Sequence, residues 1–185
     1  MNNIQPTEFW QWAYSDFLSN SLRGVLAEFI VAKALHCDDN PRTEWDAYDL
    51  KTADGLRIEV KSSAYLQTWA QKKPSMVKFD IAKKLSWFSE TNETSTVPAR
   101  PADIYVFCIF SETDRATANP LNLDQWFFII ASAALLDAKF GGQKSISLST
   151  LEQHGLKRLA FSEIQSHVAR LAPNPQLNSD PACIV

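Results

Sequence analysis

The sequence predicts an α/β (α+β) protein, and three observations carry the prediction. Residues 22–35 are apolar at helical spacing, residues 56–61 alternate apolar with charged side chains, and two short aromatic and β-branched runs, 104–110 and 126–130, read as buried strands. With 185 residues, 45% of them hydrophobic, the chain can bury one sizeable core but is too short for two full domains. One domain is expected over residues 1–173, followed by a flexible Pro/Asn-rich tail over 174–185.

The first element is a short amphipathic helix over residues 7–18, with Thr7 as its cap and Phe9, Trp10, Ala13, Tyr14 and Phe17 at helical spacing. After the polar break Ser19-Asn20-Ser21, the run LRGVLAEFIVAKAL is apolar nearly all round, the pattern of a helix packed on more than one side, ending near His36.

The period then changes to two. Leu56, Ile58 and Val60 point one way and Arg57, Glu59 and Lys61 the other, which makes a strand with one buried face. Residues 47–51 can be its partner across the turn residues Ala53-Asp54-Gly55. A two-residue loop would set Asp49 opposite Val60, whereas a three-residue loop with Gly55 left-handed sets Asp49 opposite Glu59 and Ala47 opposite Lys61. Only the second register gathers Asp49, Glu59 and Lys61 on one face, and it is the one expected.

Residues 77–81 suit a short strand, and the Ser/Thr/Asn/Pro-rich stretch 89–101 reads as a mobile loop. The runs 104–110 and 126–130, separated by the polar stretch 111–120, are expected to be central strands. Residues 132–140 look helical before Gly141-Gly142, residues 146–148 suit an edge strand, and Ser149 with Glu152 resembles a capping box. A last helix is expected from about residue 162 to 171, and no internal repeat is visible.

Composition removes several function classes. A net charge of −3 with 21% charged residues describes neither a disordered polyelectrolyte nor a histone-like basic protein. No apolar run approaches a membrane-spanning length, and MNNIQPTEFWQW lacks the layout of a secretory signal, so a cytoplasmic address and no membrane partner are expected. Cys37, Cys108 and Cys183 are too scattered for a disulfide framework or a zinc finger, and Cys108 reads as a buried thiol. His36, His154 and His167 lie far apart, which argues against a histidine-based site.

The residues that carry chemistry are Glu28, Asp49, Glu59 and Lys61. Two carboxylates on adjacent strands can share a hard divalent cation, for which Mg²⁺ takes one or two protein carboxylates plus water and phosphate oxygens. A lysine two residues after Glu59 points the same way, where its ammonium would hold an attacking water and offset phosphate charge. Alone, Glu59-Val60-Lys61 also fits a solvated strand face. Glu28 is the only charge in GVLAEFIVA, and a buried carboxylate there would need a partner or a metal, unless the helix turns it to solvent past the small Gly24, Ala27 and Val31.

This order, Glu28 in a helix, Asp49 entering a hairpin, then Glu59-Val60-Lys61, resembles the PD-(D/E)XK nuclease superfamily, also called restriction-endonuclease-like, in detail over residues 23–69 and loosely beyond. The resemblance implies a restriction-endonuclease-like core, a central mixed β-sheet flanked by helices. It implies Mg²⁺ held by Asp49 and Glu59 with the main-chain oxygen of Val60, Mn²⁺ able to substitute, Lys61 positioning the water and Glu28 supporting the metal. Gln67 corresponds to a downstream glutamine of the recombination-exonuclease branch. Tyr48 stands where the motif has proline, and Asp46 competes with Asp49 as the metal-binding aspartate. Paired active sites are common in that superfamily, so a homodimer is compatible with so small a chain, although no sequence feature fixes a symmetry.

If the strand continues, Ser63, Tyr65, Gln67 and Trp69 extend the same groove, the polar ones toward phosphates and the aromatics toward bases. From Lys51 to Lys84 the chain holds eight basic residues against three acidic ones, and Lys72-Lys73 and Lys83-Lys84 are candidate phosphate contacts. The expected function is therefore Mg²⁺-dependent hydrolysis of phosphodiester bonds in DNA. The competing expectation is a nuclease-like module for binding or assembly, with the charged face a salt-bridge cluster and Trp126 and Phe127 at a subunit interface. The complete set Glu28, Asp49, Glu59 and Lys61 favours the enzyme.

Overall fold

A computed structural model describes residues 3–42, 46–88 and 91–172. Its centre is a four-stranded mixed sheet of β1 (Leu50–Lys51), β2 (Arg57–Ala64), β6 (Ile104–Phe110) and β7 (Trp126–Ser132), in that spatial order. β1 runs antiparallel to β2, β2 parallel to β6, and β6 antiparallel to β7. The parallel pair needs a crossover. Residues 65–103 supply it and carry three short strands, β3 (Lys78–Asp80), β4 (Trp87–Phe88) and β5 (Glu93–Thr94).

Helices α2 (Asn20–Leu35) and α5 (Ile164–Leu171) cover one face of the sheet, where Leu26, Ile30 and Val31 meet Ile58, Val60, Val106, Phe128 and Val168. The other face is closed by β3, α3 (Ala133–Phe140), β8 (Ser145–Ser147) and α4 (Leu148–Gln153), around Phe79, Phe107, Ile129, Leu136 and Leu151. β6 is buried at every position, so alternate residues feed the two cores. The expected mixed sheet flanked by helices is what the chain builds.

Several local expectations change. α1 runs Pro6–Ala13, with Gln5 rather than Thr7 at its cap because Pro6 occupies the first helical position, where its missing N–H costs nothing. None of its residues is buried. α2 is capped by Ser19, whose side chain accepts from the Leu22 N–H, and ends on left-handed His36. It packs against both β2 and α5, while Val25 and Phe29 remain exposed. β1 is shorter than the expected 47–51, and β2 stops at Ala64, so no strand reaches 65–69.

Within 89–101 the described residues are not simply loop: β5 pairs with β4, and Ala99 bridges Lys84. β7 is an edge strand, not a central one, and Phe128 exchanges two main-chain bonds with Leu159 along its outer side. Ser147, not Ser149, caps α4, accepting from the Thr150 N–H. Trp126 is 4% exposed with its indole N–H on the Pro120 carbonyl, so it is not open to a subunit interface, and the half-buried Phe127 lies under the Arg158 guanidinium. The expected tail, 174–185, lies outside the described residues. Among those described, no helix is long and apolar enough to cross a membrane.

Candidate active site

The β1–β2 hairpin fixes the first part of the site. Leu50 pairs with Ile58 and Lys51 with Arg57, and the Asp49 N–H donates to the Ile58 carbonyl at 3.1 Å. Carried one residue further, this register sets Asp49 across from Glu59, as the three-residue loop requires. Gly55 at φ 86° closes that loop, with its N–H on the Thr52 carbonyl at 2.9 Å. The ladder then gives way to a side chain: Asp49 Oδ2 accepts the Val60 N–H at 2.6 Å. That bond ends β1 and aims the aspartate along β2.

Glu59 and Lys61 project from β2 toward the face opposite α2, and the parallel pairing places Tyr105 beside Glu59 and Phe107 beside Lys61. Their side chains are only 17% and 22% exposed and ion-paired to each other. Asp49, Glu59 and Lys61 line one cleft of about 340 Å³, floored by Tyr105 and bounded by Asp80, Lys84 and Trp87. Asp46 lines the same cleft and bonds its own neighbour, the Ala47 N–H, at 2.7 Å.

Burial sets the electrostatics. Desolvation raises the Asp49 carboxyl above the usual range, reinforced by the charge of Glu28 and resisted by the Val60 N–H and Lys61. Glu59 is raised by burial and then by Asp49. Burial alone would pull Lys61 down, but the charge and bond of Glu59, with Asp49 behind it, hold its ammonium above its ordinary value. The Tyr105 phenol is pushed well up, first by burial and then by Glu59. At Asp80 the burial penalty is outweighed by its bonds to Lys84 and the Ala82 N–H, so it stays below the usual range.

Two desolvated carboxylates, one of them raised further by the other, form an all-oxygen donor set, which suits a hard cation better than a thiolate- or imidazole-seeking metal. Among the described residues no three His, Cys, Asp or Glu side chains converge as a metal cage. A cation at this pair would keep several ligands from water or phosphate.

The remaining candidates are distributed. Glu28 is paired through two bonds to Arg42 and opens on a neighbouring cavity of about 530 Å³, close enough for its charge to act on Asp49 but not lining the cleft. Ser63 lies half-buried on β2, two positions beyond Lys61. Gln67 follows the end of β2 and is buried, its amide donating to the Ala64 carbonyl at 3.1 Å. Lys72 and Lys73 are exposed around a separate hollow with Trp69 and Lys78. Of the second lysine pair, Lys83 binds Asp137 at 2.9 Å while Lys84 reaches the cleft.

Sequence reading missed Asp80, Trp87 and Tyr105. Tyr105 is hidden in a wholly apolar run, and only the β2–β6 pairing brings it to Glu59. Asp80 carries a faint signal, since it alternates with buried Phe79 in a short strand.

Fold and cleft together define a nuclease-like α/β protein with a buried carboxylate pair and an adjoining lysine. More particularly, the family model of bacteriophage T4 endonuclease IV matches residues 10–150, and the chain belongs to that family. The matched segment contains every residue of the cleft. No individual curated protein matches it significantly.

Proposed function

We propose that the chain is a metal-dependent endonuclease that hydrolyses phosphodiester bonds of DNA, with a PD-(D/E)XK-type site. One observation carries the reading: the hairpin register that brings Asp49, Glu59 and Lys61 into a single half-buried cleft. The family name supports nuclease activity.

Asp49 and Glu59, with the main-chain oxygen of Val60, would hold Mg²⁺, which would supply Lewis-acid stabilisation of the charge developing on phosphate; Mn²⁺ would substitute. Lys61, held charged by Glu59, orients the attacking water in line with the leaving oxygen and offsets charge on the non-bridging oxygens. Tyr105, kept protonated, is a hydrogen-bond donor on the cleft floor. Glu28, buttressed by Arg42, supports Asp49 from behind. Lys84 meets phosphate at the cleft edge, Lys72 and Lys73 meet it farther along the strand, and Ser63 and Gln67 belong to the supporting surface of β2 and the turn after it.

The test is cleavage of supercoiled, linear and single-stranded DNA in Mg²⁺, Mn²⁺ and EDTA by the parent, Asp49→Asn and Lys61→Ala. Metal-dependent cutting that falls by roughly 10²–10³-fold in Lys61→Ala, with DNA binding retained, is expected. Cutting at the parent rate by Lys61→Ala overturns its assignment. Absence of cutting on all substrates, with no metal-induced rise in Tm, overturns the enzyme reading.

A further inference from the structure

The cleft has two kinds of wall. One carries the charged Asp49, Glu59 and Lys61, but its outer lip is apolar: Leu85 and Trp87 line it and are 56% and 39% exposed. Neither residue belongs to a buried core cluster. Trp87 sits on β4, paired with Thr94 of β5, in a hairpin of two-residue strands too small to be stable for its own sake. The indole N–H donates to Asn92 Oδ1 at 3.2 Å, and Asn92 holds a left-handed conformation at φ 55°. The polar edge of the ring is thus satisfied inside the hairpin and its orientation is set, which lowers the entropy lost when a flat partner lands on it. A large aromatic surface kept open beside a charged cleft fits a ligand that places an apolar plane next to an anion.

We propose that Trp87 stacks on a base of the substrate strand adjacent to the phosphate held at Asp49 and Glu59; this rests on the nuclease reading above. A nucleic-acid strand supplies that ligand pattern, because every nucleotide joins one anionic phosphate to one flat base. Stacking on an indole uses the π-face that every base shares, so the contact anchors the strand without reading its sequence. Leu85 extends the platform, and Lys84, on the next residue toward the floor, meets the intervening phosphate.

The experiment combines the protein with the substrate. A labelled oligonucleotide with one mapped cut site is prepared intact and with abasic positions on either side of the cut, and parent, Trp87→Ala and Trp87→Phe are compared. Trp87→Ala is expected to raise KM roughly 5- to 100-fold with a smaller change in kcat, Trp87→Phe to recover most of the loss, and Tm to stay unchanged. At one abasic position the parent should lose a similar factor while Trp87→Ala loses little more. An unchanged KM in Trp87→Ala, or an abasic penalty equal in parent and variant at every position, overturns the proposal. If the parent cuts no DNA, the nuclease reading fails, and anisotropy in EDTA decides the stacking separately. Weaker binding by Trp87→Ala than by the parent sustains it, and equal binding or none overturns it.

Discussion

Asp49 holds the backbone of β2 through the Val60 N–H and, on the proposed function, would also bind the metal, and substitutions separate the two. Asn can still accept the Val60 N–H through its amide oxygen, so Asp49→Asn is expected to melt no lower than the parent in EDTA, while losing cleavage and the rise of Tm on adding Mg²⁺. Asp49→Ala leaves the Val60 N–H without its partner and should cost about 1–2 kcal/mol in denaturant titration. Both outcomes are read on the same protein with and without EDTA. The place of Asp49 is legible in the sequence, because loop length and alternation together decide which side chains face Glu59. That of Tyr105 is not, since nothing local distinguishes it from the core residues around it. Gln67 departs from its expected place for a related reason: the residue pattern continues past Ala64 but the strand does not.

At the scale of the element, the hairpin depends on Gly55, whose φ of 86° is costly for any residue with a Cβ. A Cβ there would meet nothing within 4 Å, so the penalty is one of backbone alone. Gly55→Ala should lose about 1–2 kcal/mol and Gly55→Asn less, measured by urea unfolding, with cleavage falling as the register loosens. The first residue of β2, just after this loop, is tied to the residue preceding β6. Asp103 accepts from the Arg57 main-chain N–H at 3.0 Å and grips its guanidinium through two further bonds at 3.0 and 2.6 Å.

Those bonds, led by the one to the Arg57 side chain, hold the Asp103 carboxyl below its ordinary value. A carboxyl depressed in the folded state contributes stability above its unfolded pKa, near 3.9, and loses it as pH falls through the lower folded value. Asp103→Asn should therefore cost about 1–2 kcal/mol at pH 7, Arg57 being partly exposed, and the gap between variant and parent should narrow as the pH is lowered below the unfolded value and close once it has passed the depressed folded one. A gap independent of pH would show that packing, not charge, holds this corner. The helices and β2 can be read from periodicity, and β6 and β7 from their apolar runs, whereas the β4–β5 hairpin cannot. Its composition is that of a loop, and its strands pair only two residues each.

Across the whole molecule, the two cores share β6, so neither can come apart while the other stays folded. Phe107, fully buried on the side of β3 and α4, and Cys108, fully buried on the side of α2, are neighbours on one strand. Phe107→Ala should cost about 3–5 kcal/mol and still unfold in a single transition, with near- and far-UV circular dichroism coinciding. Two separated transitions would mean that the layers are independent. The order of assembly follows from the same topology. The β1–β2 hairpin is local and can close in about 1–10 µs, but β6 reaches β2 only after the long crossover of residues 65–103 has been gathered. The two carboxylates and the lysine therefore meet early, on a ribbon still open to water. Tyr105 and the rest of the cleft join only with β6, and with them comes the burial that shifts these groups, so a chain caught midway through folding carries the carboxylates and the lysine without the environment that the proposed chemistry needs.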